Sequence, residues 1–76
     1  MDVRKRIGVN LKQLRQDSGL SQEELAFESG LHRTYISGVE RGVRNPTVLV
    51  LEKIAVALKV PAAKLLEEMP RRKKLR

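Results

Sequence analysis

The chain has 76 residues and a formal net charge of +7. A chain of this length forms one small domain with a limited core. It contains no Cys and one His, which excludes disulfides, thiolate metal sites and cysteine nucleophiles. The residues form no nucleophile–base constellation, so we expect no enzymatic activity, no cofactor and no bound metal.

Much of the positive charge lies at the C-terminal end. Residues 70–76, PRRKKLR, hold five of the sixteen Lys and Arg residues and no acidic residue. We therefore divide the chain into a domain at 1–69 and a basic tail at 70–76, which fits a solvated run or a non-specific DNA arm. No apolar run is long enough for a membrane span and no signal-peptide pattern is visible, so we expect a cytoplasmic protein without membrane contact.

The first helix is predicted near the N-terminus, where apolar residues recur on one helical face at Val3, Ile7, Leu11 and Leu14. Gly19 is placed to end this helix in a left-handed cap. Ser21 and Glu24, three residues apart, form the capping-box pattern that begins a second helix, and Gly30 closes it. The residues predicted to face inward on the second helix are Leu25, Ala26 and Ser29. Phe27 falls off this stripe, and we expect it to pack partially against the first helix.

Three further helices complete the prediction. The third spans about residues 33–41 and is ended by Gly42, with a buried face formed by Ile36 and Val39. Thr47 suits the N-cap of a fourth helix, whose core stripe consists of Leu51, Ile54, Ala55 and Leu58. Pro61 suits the first turn of a fifth helix that runs to about Met69. The sequence therefore predicts a compact all-α domain of five helices.

Residues 21–42, SQEELAFESGLHRTYISGVERG, carry the clearest functional signal. They predict a short capped helix, a tight turn around Gly30 and a second short helix with polar side chains on its surface. This is the layout of a DNA-binding helix-turn-helix, in which the second helix enters the major groove. Double-stranded DNA is therefore the predicted ligand.

The chain resembles the Xre-type, lambda-repressor-like helix-turn-helix regulators. The resemblance rests on IGVNLKQLRQDSGLSQEELA at 7–26, SGLHRTYISGVERG at 29–42, RNPT at 44–47 and LEKIAVALKVPAAKLL at 51–66. These segments cover nearly the whole chain outside its first residues and its tail. Within the family, HRTYISGVERGVRNPT is most similar to the controller proteins of restriction–modification systems.

The resemblance implies which residues contact DNA. Base reading falls to Arg33, Thr34, Tyr35 and Ser37 on the recognition helix. An Arg can donate two hydrogen bonds to guanine, while Thr and Ser hydroxyls can bond several base edges. The residues implied in contacts with the DNA backbone are Gln22, Arg41, Arg44 and Asn45. Arg15 and Glu40 match a structural salt bridge between the first and third helices.

A homodimer on a pseudo-palindromic operator is the expected active form, because one recognition helix covers only a few base pairs. One small core cannot bury all the apolar residues of the chain, so some are predicted to lie at the dimer interface. These are Leu49, Val50, Leu65, Leu66 and Met69. An antitoxin or a phage-type repressor of the same fold, bound to a protein partner, remains an alternative. The acidic second helix (Glu23, Glu24 and Glu28) also leaves open a contact with RNA polymerase.

Overall fold

The computed structural model describes residues 2–68. Met69 and the basic tail at 70–76 lie outside the described residues. The five helices are α1 (Val3–Asp17), α2 (Gln22–Ser29), α3 (Arg33–Glu40), α4 (Val48–Leu58) and α5 (Ala63–Leu66). The predicted all-α fold is confirmed. No helix among residues 2–68 is long and apolar enough to cross a membrane.

Local signals in the sequence set most of the helix ends. Asp2 caps α1 by accepting a hydrogen bond from the backbone N–H of Arg4. The Arg4 side chain also donates to this carboxylate, and these hydrogen bonds lower the pKa of Asp2 below its ordinary value. The predicted capping box of Ser21 and Glu24 begins α2, and Thr47 caps α4 as predicted.

Left-handed residues end several helices. Gly19, Gly30 and Gly42 have φ angles of 74°, 74° and 79°, a region that a residue without a Cβ enters at low cost. All three positions agree with the predicted stops. Lys59 ends α4 at φ 61°, a conformation that non-glycine residues adopt less readily.

The core runs through all five helices. Its buried apolar members are Ile7, Leu11, Leu25, Ala26, Ile36, Val39, Leu51, Ile54, Ala55, Leu58 and Leu65. The predicted inward faces of the second, third and fourth helices are therefore confirmed. Helix α1 packs against α3 and α5, while α2 packs against α3 and α4. This arrangement holds the recognition helix between the first two helices.

Val3, at the start of the apolar face of α1, is exposed because the first turn of the helix lies outside the core, where residues 2–5 all face solvent. Two expectations about apolar residues are wrong. Phe27 does not pack against α1, since 87% of its surface is accessible. Leu65 is fully buried in the domain, so it cannot offer its side chain to a second subunit as the interface prediction required.

The fifth helix is shorter than predicted. It has four residues and ends at Leu66, and Pro61 precedes it rather than forming its first turn. Glu67 takes an extended backbone conformation. The side-chain amide of Asn10 on α1 donates to the carbonyls of Leu65 at 2.9 Å and Glu67 at 2.7 Å. These tertiary hydrogen bonds satisfy backbone carbonyls at the end of α5, where helix carbonyls have no partner within the helix.

Candidate nucleic-acid interface

The turn between α2 and α3 is fixed by backbone hydrogen bonds. The N–H of Leu31 donates to the carbonyl of Ala26 at 2.9 Å, which reverses the chain directly after Gly30. His32 then occupies the N-cap of α3 without a side-chain capping bond. The His32 side chain therefore caps none of the first backbone N–H groups of α3. These groups lie at the N-terminal end of the helix, beside the predicted base-reading residues.

The two faces of α3 differ sharply. Ile36 and Val39 are fully buried, whereas Arg33 and Thr34 are exposed. Ser37, one turn further on, is half-buried. Because residues three and four positions apart share a helix face, these three polar side chains form one continuous surface on α3. The structure therefore brings together three of the predicted base-reading residues on the side opposite the core.

Arg41 extends this surface beyond the end of α3. Its Nε donates to Ser37 Oγ across 3.4 Å, a long contact at the protein surface. A predicted backbone-contacting residue thus lies beside a predicted base-reading residue. Arg44 and Asn45 in the following loop are exposed as well, while Pro46 is buried next to them.

Tyr35 is held differently from its neighbours on α3. It is half-buried and packs against the core. The Arg44 guanidinium carbon lies 5.6 Å from the centre of its ring, within the range of a cation–π contact. Two residues with separately predicted DNA roles therefore contact each other within the single chain.

A buried polar network joins α3 to α1 and α2. Arg15 Nε donates to Glu40 Oε2 at 2.6 Å and Arg15 Nη2 donates to Glu40 Oε1 at 3.2 Å. The two side chains are only 11% and 5% exposed. A third donor, Gln22 Nε2, reaches Glu40 Oε1 at 3.0 Å, and Arg15 Nη1 also donates to the carbonyl of Leu20. Gln22 thus braces the recognition helix through Glu40.

Two glycines with structural roles in this region were missed by the sequence reasoning. A Cβ on Gly8 of α1 would lie 2.5 Å from the backbone carbonyl oxygens of both Val39 and Glu40. A Cβ on Gly38 of α3 would lie 2.7 Å from Cγ of Arg44. A glycine within a predicted helix signals close approach of another segment, so the pattern was visible although the contacting partner was not.

The apolar residues predicted at the dimer interface have different surroundings. Leu49 and Leu66 are 68% and 42% exposed, and Val50 is half-buried. The sequence reasoning missed Val48 and Val56 on α4, which are 82% and 65% exposed. Helix α4 therefore leaves part of its apolar surface uncovered in the single chain. Among residues 2–68, no group of three or more potential ligand side chains is placed to hold a metal ion.

Comparison with known proteins identifies the class. The helix-turn-helix family HTH_3 matches residues 11–65. The chain belongs to this helix-turn-helix family. The predicted family resemblance is confirmed, and the chain accordingly groups with regulators rather than with enzymes.

Relatives within the family include restriction–modification controllers. The chain is 48% identical to control protein C.BamHI of Bacillus amyloliquefaciens over 67 residues, which cover 87% of this chain and 83% of that protein. It is 50% identical over 60 residues, 79% of this chain and 78% of the relative, to the helix-turn-helix transcriptional regulator y4dJ of Sinorhizobium fredii. The crystal structure of the controller C.AhdI from Aeromonas hydrophila superposes with a TM-score of 0.80 at 47% identity, covering 82% of this chain and 94% of that one.

Proposed function

We propose that this protein is a sequence-specific transcriptional regulator that binds a pseudo-palindromic operator as a homodimer. The observation that carries the proposal is the exposed polar face of α3, formed by Arg33, Thr34 and Ser37 and followed by a basic loop. Such a face can enter the major groove while the basic residues bind phosphates. Its similarity to C.BamHI and C.AhdI supports a role in controlling restriction–modification genes. A regulator of such genes acts in the cytoplasm.

We propose a dimer because a single recognition helix offers only a small surface for contact with DNA. One short recognition helix reads only a few base pairs, so useful specificity requires two half-sites. The exposed apolar side chains of Val48 and Leu49, together with Leu66, offer a surface for a second copy. A symmetric dimer would place its two recognition helices about 34–36 Å apart, matching successive major grooves on one face of DNA.

In vitro selection from a random DNA library tests this function directly. We expect the protein to enrich a sequence with two inverted half-sites separated by about one helical turn. Titration of the selected duplex should show two subunits bound per duplex. Failure to enrich any sequence, with the protein folded, would contradict the proposal. A restriction endonuclease gene and a methyltransferase gene beside this gene would support the controller role, and co-purification of a toxin would favour the antitoxin alternative.

We also propose that α2 contacts RNA polymerase when the DNA-bound regulator activates transcription. Phe27 is 87% exposed and lies one turn from Glu23, with Glu28 adjacent in sequence. An exposed aromatic side chain among carboxylates suits contact with a basic protein surface.

Transcription in a purified system tests this contact. Phe27→Ala and Glu23→Gln should lower activated transcription while leaving operator affinity unchanged. Glu24 is unsuitable as a probe because its side chain belongs to the capping box of α2. Equal activation by wild type and both variants would contradict the proposed polymerase contact.

A further inference from the structure

Gly38 is a buried glycine in the middle of the recognition helix. Glycine weakens a helix interior relative to Ala, so its presence there calls for a local reason. The reason lies in the loop that follows α3. An added Cβ would meet Arg44 Cγ at 2.7 Å, Nε at 3.3 Å and Cδ at 3.5 Å. The Arg44 side chain therefore runs directly over the space that a larger residue at position 38 would fill.

The backbone of the loop is held by the same residue. The carbonyl of Gly38 accepts hydrogen bonds from the N–H of Val43 at 3.0 Å and from the N–H of Arg44 at 3.3 Å. Both the main chain and the side chain of Arg44 are thus positioned against Gly38. At the far end of that side chain, the guanidinium group lies 5.6 Å from the ring centre of Tyr35.

We infer that Gly38 is a positioning residue for DNA recognition, because it leaves the space in which Arg44 lies over Tyr35 and holds both side chains in one arrangement. The inference rests on the proposed function, in which Tyr35 reads bases and Arg44 binds the DNA backbone. Holding these groups together before binding lowers the conformational entropy lost when they meet DNA. It also couples a contact that reads sequence to one that binds phosphate.

Gly38→Ala separates this role from a role in folding. The atoms that the new methyl group would meet belong to a flexible side chain, so Arg44 can move aside while the helix remains intact. Ala also favours the helix more than Gly does. We therefore expect a thermal midpoint equal to or above that of wild type, together with about a 3- to 10-fold loss of affinity for a duplex selected with the wild-type protein.

The side-chain contact can be measured without DNA. Tyr35 is the only Tyr, Phe27 is the only Phe, and the chain has no Trp. An upfield ring-current shift of the Arg44 side-chain protons by NMR therefore reports its position over Tyr35. We expect this shift in wild type and its loss in Gly38→Ala. The backbone resonances of α1 and α4 should stay unchanged, which shows that the fold is intact.

The substitution Gly38→Ala can also be tested in a protein that already carries Arg44→Ala and therefore lacks the side chain that Gly38 is inferred to position. If Gly38 acts through Arg44, adding Gly38→Ala to Arg44→Ala should cause no further loss of DNA affinity. Additive losses, or a preserved ring-current shift in Gly38→Ala, would overturn the inference. If both single variants bind the selected duplex as wild type does, the DNA role of Arg44 is wrong and Gly38 does not position it for recognition. In that outcome, loss of the NMR shift would still support the Gly38 contact.

Discussion

Glu40 shows how single side chains couple the recognition helix to the rest of the domain. Its carboxylate accepts two hydrogen bonds from Arg15 on α1 and one from Gln22 on α2. Removing Arg15 or Glu40 leaves the other charge buried without its ionic partner, which usually costs more than the intact pair contributes. The arrangement therefore makes the orientation of α3 sensitive to residues that lie on two other helices.

We predict that Arg15→Ala and Glu40→Ala each destabilise the domain by about 3–5 kcal/mol. The double variant should lose clearly less than the sum, because neither charge is then left buried alone. Chemical unfolding across this double-mutant cycle measures the coupling. Gln22→Ala is the control that leaves the ion pair intact, and it should cost less than either charge removal. Additive losses from Arg15 and Glu40 would show that the two residues do not act as a pair.

The exposed residues of α3 and those directly after it should differ in how they contact DNA. Arg33→Ala should reduce operator affinity by about 1–3 kcal/mol and relax the preference at one base of each half-site. Arg41→Ala should weaken binding to all sequences alike and reduce its salt dependence, because a phosphate contact releases counterions without reading bases. Binding selections and salt titrations distinguish the two effects. An unchanged selected sequence for Arg33→Ala would remove its base-reading role.

At the level of elements, α1 can cross closely over the end of α3 because residue 8 is a glycine and has no side chain. Gly8 faces the carbonyl oxygens of Val39 and Glu40, which are backbone atoms that cannot rotate away. The α1–α3 approach brings Arg15, two turns further along α1, into reach of Glu40. Close packing of these helices and formation of the ion pair are therefore consequences of the same geometry.

We predict that Gly8→Ala destabilises the domain by about 1–3 kcal/mol despite the better helix propensity of Ala, because the helices must separate to accommodate the methyl group. Thermal unfolding monitored by circular dichroism gives the loss. Gly38→Ala is the matched control, since it adds the same methyl group to a buried helical glycine that faces a flexible side chain instead. Equal stability of the two variants would contradict the close approach at Gly8.

At the scale of the whole molecule, the small core and the exposed apolar side chains of α4 both favour association with a second copy of the chain. A domain of this size buries a limited fraction of its surface, so association with a second copy adds burial that the single chain lacks. The proposed interface now consists of Val48, Leu49, Val50, Val56 and Leu66, with Leu65 assigned to the core. Met69 stays a prediction outside the described residues.

We predict that Leu49→Asp yields a helical monomer with poor operator binding. Leu49 is 68% exposed, so the substitution adds a charge to the surface and leaves the core unchanged. Sedimentation and circular dichroism together separate loss of the dimer from loss of the fold. Phe27→Asp places the same charge on an exposed apolar position of α2 and should remain dimeric. A wild-type protein that is monomeric at tens of micromolar, both free and on DNA, would contradict the dimer.

The sequence alone determined the helix-turn-helix, the approximate positions of the helices and several of their caps, because these depend on apolar spacing and on local residues such as Ser21, Gly30 and Thr47. It also indicated Arg15 and Glu40 through a family resemblance. Tertiary structure alone decided the end of α5, the contacts of Gly8 and Gly38, the stacking of Arg44 on Tyr35 and the burial of Leu65. Each of these depends on which atoms of another segment lie nearby, and periodicity within a helix identifies an apolar face without specifying what covers it.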